Sequence, residues 1–433
     1  MATRNGWNTD LSTATRDKRH FDGVDLHRLA EAMPTPLYVY SANAIRQRIV
    51  GLQDALAGLD AQICFAVKAN PSHGILQLMA QAGLGADIVS AGELRRSLRA
   101  GIAPESVVFS GVGKTEAEMD EALASGIGRF NLESLDELEG LQRVARRRGV
   151  AAHASVRINP DVDALTHHKI STGRAENKFG VSIDQAREWF QRARQYPDVR
   201  LDGLHVHIGS QLLDLAPVRL ALQRVAAFWR ELEHAGHELA CIDVGGGLGV
   251  VYRHGQDAGV DIRAYAGHIR DAFAGFQGKL MLEPGRYLVA EAGMLLTRAI
   301  RVKQGDERAF LVVDAAMNDL MRPSLYEAWH EIVRIPAADE VPGAALPYDV
   351  VGPVCESSDV FATGRMLPRC KAGDLLAILC TGAYGASMSS TYNSRPLAGE
   401  VLVDDGRYAI IRRPQTFDEM IAGEQPATAW NTA

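Results

Sequence analysis

Residues 62–90 read QICFAVKANPSHGILQLMAQAGLGADIVS and contain the repeating unit of this chain. A short apolar strand ends at Lys68, a stretch of helix length follows, and a second apolar strand begins at Gly85. The alternation continues to residue 287, with six further strands: SVVFSGVGK at 106, IGRFNLES at 127, HASVRINP at 153, DGLHVHIGSQ at 202, ACIDVGGGLG at 240 and KLMLEPGRY at 279. Eight consecutive β/α units predict a closed parallel (β/α)8 TIM-type barrel rather than an open sheet.

After about residue 290 the pattern changes to strands without intervening helices. They read LLTRAIRV, RAFLVVD, YDVVGP, DLLAILC, LAGEVLVD and RYAIIRR. This predicts a C-terminal antiparallel β domain, which an N-terminal strand at 35–41 (TPLYVYS) is expected to join. The predicted α/β organisation is therefore a mobile N-terminus plus strand (1–40), a barrel (41–289) and a β domain (290–433).

Composition excludes several classes of protein. The chain has 433 residues, 47% of them hydrophobic, which argues against disorder. A formal charge of −7 disfavours nucleic acid as a partner and leaves small molecules as the expected ligands. The sequence contains neither an apolar run of about 20 residues nor a signal-peptide core, so we expect no membrane association and a cytoplasmic location. Its five cysteines form no CxxC pair, and each is expected to be a buried small hydrophobic residue.

Polar residues follow the predicted barrel strands where each strand ends. Those at or just beyond the ends are Lys68, Asp87, Ser110, Asn131, Asn159, His207, Ser210, Gly247 and Glu283. In a (β/α)8 barrel the carboxyl ends of the strands carry the active site. The fifth unit has a long insert there, HHKISTGRAENKFG at 167–180, which is a candidate lid or binding loop.

Two of these positions allow both a functional and a purely structural interpretation. Lys68 follows an apolar strand, where desolvation would lower its pKa and make it a nucleophile toward a carbonyl, or it is a solvated lysine at a strand end. GGGLG at 245–249 follows a strand and precedes a helix, so its backbone N–H groups are able to approach a phosphate. It lacks the G-x-G-x-x-G dinucleotide pattern, and a simple tight turn is the alternative.

The histidines and the last carboxylate also leave alternatives open. His205 and His207 lie two apart on one strand, which suits metal ligands, although an imidazole stacked on a planar cofactor suits His207 better. Glu283 could hold a protonated pyridine nitrogen or pair with Arg286. We expect no metal.

GPVCESSDVF at 352–361 places Cys355 beside Glu356, within the predicted β domain. The adjacent carboxylate disfavours the thiolate, so this cysteine would act as a proton donor, or it is a core residue.

Taken together, these motifs resemble the alanine-racemase-like, fold type III enzymes that use pyridoxal 5′-phosphate (PLP), and among them the diaminopimelate decarboxylases. The resemblance spans residues 34–420 and rests on FAVKAN (65–70), ISTGRAENKFG (170–180), HIGSQ (207–211), GGGLG (245–249), EPGR (283–286), MNDLMRPSLYEAWHEI (317–332), CESSD (355–359) and GAYGASMSS (382–390).

The resemblance implies an activity and a set of roles. The implied reaction is decarboxylation of meso-2,6-diaminopimelate to L-lysine and CO2, the last step of lysine biosynthesis, by a homodimer with shared active sites. The implied catalytic residues are Lys68, His207 and Cys355. The implied cofactor-binding residues are Lys68, Asp87, His207, Ser210, Gly246, Gly247, Glu283, Gly285, Arg286 and Tyr384. The implied substrate-binding residues are Arg286, Arg322, Tyr326, Glu356 and Tyr384.

Three other functions compete with this one. Another PLP enzyme could racemise an amino acid, or decarboxylate ornithine, arginine or a polyamine precursor, on the same scaffold. A binding or regulatory homologue without a cofactor would have no need to keep Lys68, His207, Glu283 and the glycine loop at 245–249 together. A metal-dependent barrel hydrolase rests only on the HVH tripeptide at 205–207.

Overall fold

The computed structural model describes residues 18–163, 178–253, 255–338, 340, 343–428 and 430. The first 17 residues, predicted to be mobile, lie outside the described part of the chain, as does most of the 167–180 insert. The expectations for those two segments therefore stay predictions.

Nineteen strands are present in the described residues. They are β1 His20–Phe21, β2 Val24–Asp25, β3 Leu37–Ser41, β4 Ala61–Ala66, β5 Gly85–Ile88, β6 Val107–Phe109, β7 Arg129–Leu132, β8 Ala152–Arg157, β9 Val199–His205, β10 Cys241–Asp243, β11 Lys279–Leu282, β12 Gly293–Gln304, β13 Ala309–Val313, β14 Ile332–Arg334, β15 Ala345–Val351, β16 Val360–Pro368, β17 Leu375–Leu379, β18 Gly399–Asp404 and β19 Arg407–Arg412.

Eight parallel strands, β4 to β11, close into a barrel in chain order. Closure is made by β11 on β4, where Leu280 is in register with Ala61 and Leu282 with Ile63. The barrel predicted from the β/α repeat is confirmed, with each predicted strand at its expected place in the sequence. All eight strand ends that carry the candidate residues consequently surround one barrel mouth.

The second sheet has nine strands and is mostly antiparallel. As predicted, the N-terminal strand β3 belongs to it, between β12 and β18. The predicted antiparallel β domain is confirmed as a mostly antiparallel sheet, in which two pairs, β3 with β18 and β13 with β15, are parallel. Both parallel pairs join strands that are distant in sequence, as parallel pairing requires a long crossover.

Twelve helices lie in the described residues. They are α1 Leu26–Ala32, α2 Ala42–Ala55, α3 His73–Gln81, α4 Ala91–Arg99, α5 Glu116–Ala124, α6 Leu135–Arg148, α7 Ile183–Gln191, α8 Ala216–His234, α9 Ile262–Ala272, α10 Arg286–Val289, α11 Arg322–Tyr326 and α12 Phe417–Ile421. Local sequence sets their ends: Thr115 and Glu118 form a capping box at α5, and left-handed Gly149 ends α6. None of the helices in the described ranges is long and apolar enough to cross a bilayer.

The cysteines divide into two groups. Cys64 and Cys241 pack with Val108 and Met281 in a small apolar cluster drawn from four barrel strands. Cys370 and Cys380 are also buried, as expected for small hydrophobic residues. The expectation is wrong for Cys355, which is exposed.

Candidate active site

A cavity of about 490 Å³ opens at the carboxyl ends of the barrel strands and reaches the β sheet domain. Ten of the predicted site residues line it: Lys68, His207, Ser210, Gly247, Glu283, Gly285, Arg286, Arg322, Tyr326 and Tyr384. Four others, Asp87, Gly246, Cys355 and Glu356, are not among the lining residues.

Lys68 stands in a short turn directly after β4, next to the end of β5. Its Nζ donates to Asp87 Oδ2 at 2.5 Å, and Asp87 is fully buried whereas the Lys68 side chain keeps 40% of its exposure. Burial lowers the pKa of the Lys68 ammonium, but the charges of Asp87 and Glu283 outweigh it and the net pKa is raised. The predicted lowering of this pKa is therefore wrong, because the sequence did not show how closely Asp87 and Glu283 approach the amine.

Glu283, just after β11, is the centre of a buried polar network. Ser110 Oγ and Asn131 Nδ2 donate to its Oε1 at 3.2 and 3.1 Å, and its Oε2 lies 3.2 Å from His205 Nε2. Asn131 Nδ2 also donates to Asp243 Oδ2 at 3.2 Å. The alternative ion pair between Glu283 and Arg286 is not formed in the described structure.

The two carboxyl groups of this network, Asp243 and Glu283, differ in pKa. Burial and the negative charge of Glu283 raise the pKa of Asp243 to about 8. Burial also raises the pKa of Glu283, but the positive charges of His205 and Lys68 and a hydrogen bond from Asp243 lower it more, and the net pKa lies below its usual range. The network therefore keeps Glu283 ionised beside a protonated Asp243, as expected where two carboxyl groups share one site.

His207 lies just beyond β9, in the cavity wall. Its Nδ1 accepts a hydrogen bond of 3.2 Å from the N–H of Gly246. Burial and the nearby charge of Arg157 lower the pKa of His207 to about 3, so its imidazole is neutral at ordinary pH. A neutral ring at the cavity wall suits contact with a flat aromatic ligand.

The glycines of GGGLG bring the backbone close to neighbouring strand ends. Gly247 has a φ of +101°, and a Cβ there would lie 2.4 Å from the carbonyl oxygen of Gly209. A Cβ on Gly246 would lie 2.1 Å from the carbonyl oxygen of Glu283. No side chain fits at either position, so the loop offers bare backbone to the cavity. The helix expected directly after this motif begins only at Ile262, so the backbone is presented by a loop rather than by a helix N-terminus.

Arg286 lies beside this loop and is buried. Its Nη1 donates to the hydroxyl of Tyr252 at 2.7 Å and its Nη2 to Ser210 Oγ at 3.1 Å. Arg286 Nε is buried and has no hydrogen-bond partner among the described residues. Because a buried unpaired guanidinium N–H is costly, the position is suited to an anion that completes it.

A second buried arginine, Arg322, lines another part of the same cavity. Its guanidinium carbon lies 4.4 Å from the ring centre of Tyr252, and that of Arg286 lies 4.7 Å from the ring centre of Tyr384. Burial lowers the pKa of Arg322. Two cationic groups held by aromatic rings therefore face one cavity, which suits a ligand with two anionic groups.

Cys355 and Glu356 lie apart from this cavity, in the exposed connection between β15 and β16. Glu356 Oε1 accepts a hydrogen bond of 2.5 Å from Ser358 Oγ. Neither residue lines the cavity of its own chain.

The family resemblance implied no role for Ser110, Asn131, His205, Asp243 and Tyr252, and His205 was considered only as a metal ligand. Ser110 and Asn131 carried a signal, since they end barrel strands, but nothing in the sequence paired them with Glu283. His205, Asp243 and Glu283 offer ligand-type atoms within 4.8 Å of one another, whereas His207 contacts Gly246. The two histidines of the HVH tripeptide therefore serve different contacts.

Comparison with known proteins agrees with this geometry. The sequence profile described as the pyridoxal binding domain of pyridoxal-dependent decarboxylases matches residues 42–290. Diaminopimelate decarboxylase of Pseudomonas aeruginosa is 48% identical over 94% of this chain and 97% of its own length, and that of Zymomonas mobilis is 46% identical over 93% and 96%. The chain belongs to the diaminopimelate decarboxylase family.

Solved structures of the family have the same fold. The Helicobacter pylori diaminopimelate decarboxylase, crystallised with L-lysine, superposes with a TM-score of 0.88 at 42% identity over 92% of this chain and 98% of its own. The enzyme of M. jannaschii gives a TM-score of 0.90 at 35% identity over 95% and 97%. The family resemblance and the PLP-dependent decarboxylase class predicted from the motifs are confirmed.

The cavity fits PLP, the cofactor of this family. The unpaired Nε of Arg286, the glycine loop without room for side chains, and a lysine amine within the same cavity match a ligand that carries a phosphate and an aldehyde. The ionised Glu283 suits the protonated nitrogen of its ring.

Proposed function

We propose that this protein decarboxylates meso-2,6-diaminopimelate to L-lysine and CO2 with PLP. The observation that carries the proposal is the buried cation Arg322, which lines the same cavity as Lys68 and the Glu283 network. A substrate that is anionic at both ends satisfies both parts of this cavity. A substrate that ends in an amine would leave the Arg322 charge unpaired in a buried site.

The residues that would hold PLP are Lys68, Asp87, His207, Ser210, Gly246, Gly247, Glu283, Gly285, Arg286 and Tyr384. When bound, PLP supplies an electron sink for the bond that breaks at the substrate Cα. Lys68 supplies the amine that anchors the aldehyde, and Asp87 holds that amine in place through its 2.5 Å hydrogen bond. Glu283 remains anionic and keeps a proton on the ring nitrogen, while neutral His207 presents its ring without adding charge.

The remaining site residues select the substrate. Arg322 offers a planar fork for the distal carboxylate, and Tyr326 lines the cavity beside it. Arg286 is proposed to contact the phosphate, the substrate, or both. Tyr384, whose ring packs on Arg286, is proposed to contact both ligands.

Cys355 and Glu356 enter the proposal through a second copy of the chain. Because they are exposed and do not line their own cavity, we propose a homodimer in which each subunit places this pair at the other subunit's site. There Cys355 would return a proton to the substrate Cα, and Glu356 would pair with the distal ammonium.

Two further predictions from the sequence belong to this proposal. Residues 41–289 would form the cofactor-binding domain, and residues 290–433 would supply the substrate-binding and proton-donor segments. A cytoplasmic location stays a prediction, which rests on the unpaired cysteines.

The experiment that tests the function uses purified protein with added PLP. It is incubated in parallel with meso-diaminopimelate, ornithine and arginine, and CO2 and amine products are measured. Release of CO2 and L-lysine from meso-diaminopimelate alone is expected. Preferential turnover of ornithine or arginine would overturn the substrate assignment, and epimerised product without CO2 would replace decarboxylation by racemisation.

A further inference from the structure

His330 is a direct neighbour of Arg322. Its side chain is fully buried and it is not among the residues that line the cavity. His330 Nε2 lies 2.7 Å from Arg322 Nη1, and His330 Nδ1 lies 2.8 Å from the carbonyl oxygen of Leu379. Each ring nitrogen therefore has a hydrogen-bond partner that can act only as a donor or only as an acceptor.

These two partners determine the state of the imidazole. The carbonyl of Leu379 only accepts, so Nδ1 carries the hydrogen and donates it. The guanidinium of Arg322 only donates, so Nε2 accepts through its lone pair. Burial and the positive charge of Arg322 hold the pKa of His330 well below its usual value, in agreement with a neutral ring.

The imidazole is fixed from other directions as well. The edge of Tyr252 contacts it with ring centres 5.3 Å apart, and the same Tyr252 ring lies against Arg322. Arg365 Nη1 donates to the main-chain oxygen of His330 at 2.9 Å. A ring held by Leu379, Tyr252 and its own backbone is a rigid acceptor, and it determines where the Arg322 fork points.

We propose that His330 is the positioning residue for Arg322: its neutral imidazole holds the guanidinium in the orientation that receives the distal carboxylate of the substrate. This inference rests on the proposed function, since it concerns that carboxylate. His330 acts through Arg322 and touches neither substrate nor cofactor.

Two substitutions separate positioning from a structural role. In His330→Gln the amide oxygen reaches the place of Nε2, so the acceptor for Arg322 is kept and the bond to Leu379 is lost. In His330→Asn the amide reaches only the place of Nδ1, so the bond to Leu379 is kept and the acceptor is lost. The two variants exchange the two hydrogen bonds while both remain polar.

The readouts are the KM and kcat for meso-diaminopimelate and the inhibition constant of D-lysine, which keeps the reacting carboxylate and lacks the distal one. We expect His330→Asn to raise KM by about 10-fold or more, the effect of losing a hydrogen bond to a charged group. The D-lysine inhibition constant should change by less than about 2-fold, and His330→Gln should keep KM within about 3-fold of wild type. Equal KM values for the two variants, or a larger loss in His330→Gln, would overturn the inference.

Crystal structures of the two variants give a readout that needs no turnover. Arg322 Nη1 should keep its place in His330→Gln and leave it in His330→Asn, and an unmoved Arg322 in both would reject the positioning role. If wild-type protein does not turn over meso-diaminopimelate, the proposed function fails, while the position of Arg322 still decides whether His330 holds it.

Discussion

The Nζ of Lys68 lies 2.5 Å from Oδ2 of Asp87, which lies in the neighbouring barrel strand β5. Asp87 is fully buried and Lys68 is partly open to the cavity, so the pair has an inner anion and an outer cation. Parallel pairing sets this arrangement, because Asp87 is in register with Ala66, two residues before the lysine. The amine is therefore held in one place before any ligand arrives.

Replacement of Lys68 tests the amine directly. Lys68→Ala should abolish the visible absorbance of the protein purified with PLP and reduce kcat by about 10³-fold or more, because no amine remains to anchor the cofactor. Lys68→Arg is the matched control, since it keeps a cation for Asp87 but no nucleophile. Both variants should be inactive, and an unchanged visible spectrum in either would contradict the assignment.

Glu283→Gln tests the charge at the centre of the buried network. A glutamine keeps an acceptor for Ser110 and Asn131 but loses the negative charge that holds a proton on the ring nitrogen. We expect kcat to fall by about 10²-fold, as for loss of one preorganised electrostatic contact. Steady-state kinetics checks this, with PLP affinity measured separately. A kcat within a few-fold of wild type would remove Glu283 from the proposed role.

Arg322→Leu tests recognition of the distal carboxylate. Loss of a charged, planar partner should raise the KM for meso-diaminopimelate by about 10²-fold, corresponding to about 3 kcal/mol of binding free energy. Inhibition by D-lysine should change by less than about 3-fold, because that molecule keeps the reacting carboxylate and has no distal one. Parallel losses for both molecules would show that Arg322 supports the cavity in general rather than selecting the substrate.

Mixing two inactive variants tests the shared sites. Cys355→Ala and Lys68→Ala remove groups that we place in the same active site but on different chains. If the two proteins are dissociated and reassociated together, half of the dimers should be mixed and each should contain one intact site. We expect about a quarter of the wild-type activity, measured as CO2 release. Activity no higher than in either variant alone would place both groups on one chain.

Asp243→Asn tests the proton in the buried network by its effect on stability. The pKa of Asp243 is raised to about 8, so between about pH 4 and 8 the folded cofactor-free chain binds a proton that the unfolded chain releases. The bound proton makes its full contribution to the free energy of unfolding below about pH 4. That contribution is lost as the pH rises through 8, by at most about 1.4 kcal/mol per pH unit.

The asparagine cannot titrate, so denaturant unfolding of the variant should lose less stability than wild type between pH 6 and 9. His207 provides a comparison of opposite sign, because its pKa of about 3 makes stability rise with pH from about 3 to 6.5, mostly below the window of this test. Equal pH dependence in wild type and Asp243→Asn would show that Asp243 does not hold the proton.

Much of the fold could be predicted because short-range patterns of apolar and polar residues determine its strands and helices. Short apolar runs, separated by stretches of helix length, locate β4 to β11, and their number implies closure. Strand β3 was also predicted to join the second sheet. The direction of its pairing with β18 could not be predicted, because strands 360 residues apart carry no local mark of orientation.

Only part of the candidate site could be predicted, because some of its residues lie in local motifs and others are defined by contacts between distant segments. Lys68, His207 and Glu283 stand at strand ends in motifs that can be read one at a time. His330 and Tyr252 lie in irregular segments, and their importance comes from contacts with Arg322 and Arg286. The 167–180 insert lies mostly outside the described residues, so its predicted role as a lid stays a prediction.

By itself, the order of residues determined the barrel, the sheet that follows it, and the types of chemical group at each strand end, since backbone periodicity and side-chain chemistry are local properties. Only the tertiary structure decided which of those groups meet and in which protonation state. The raised pKa of Lys68, the shared proton of Asp243 and Glu283 and the neutral ring of His330 depend on burial and on charges from distant segments. Electrostatic interactions act through space, and the sequence does not contain those distances until the chain has folded.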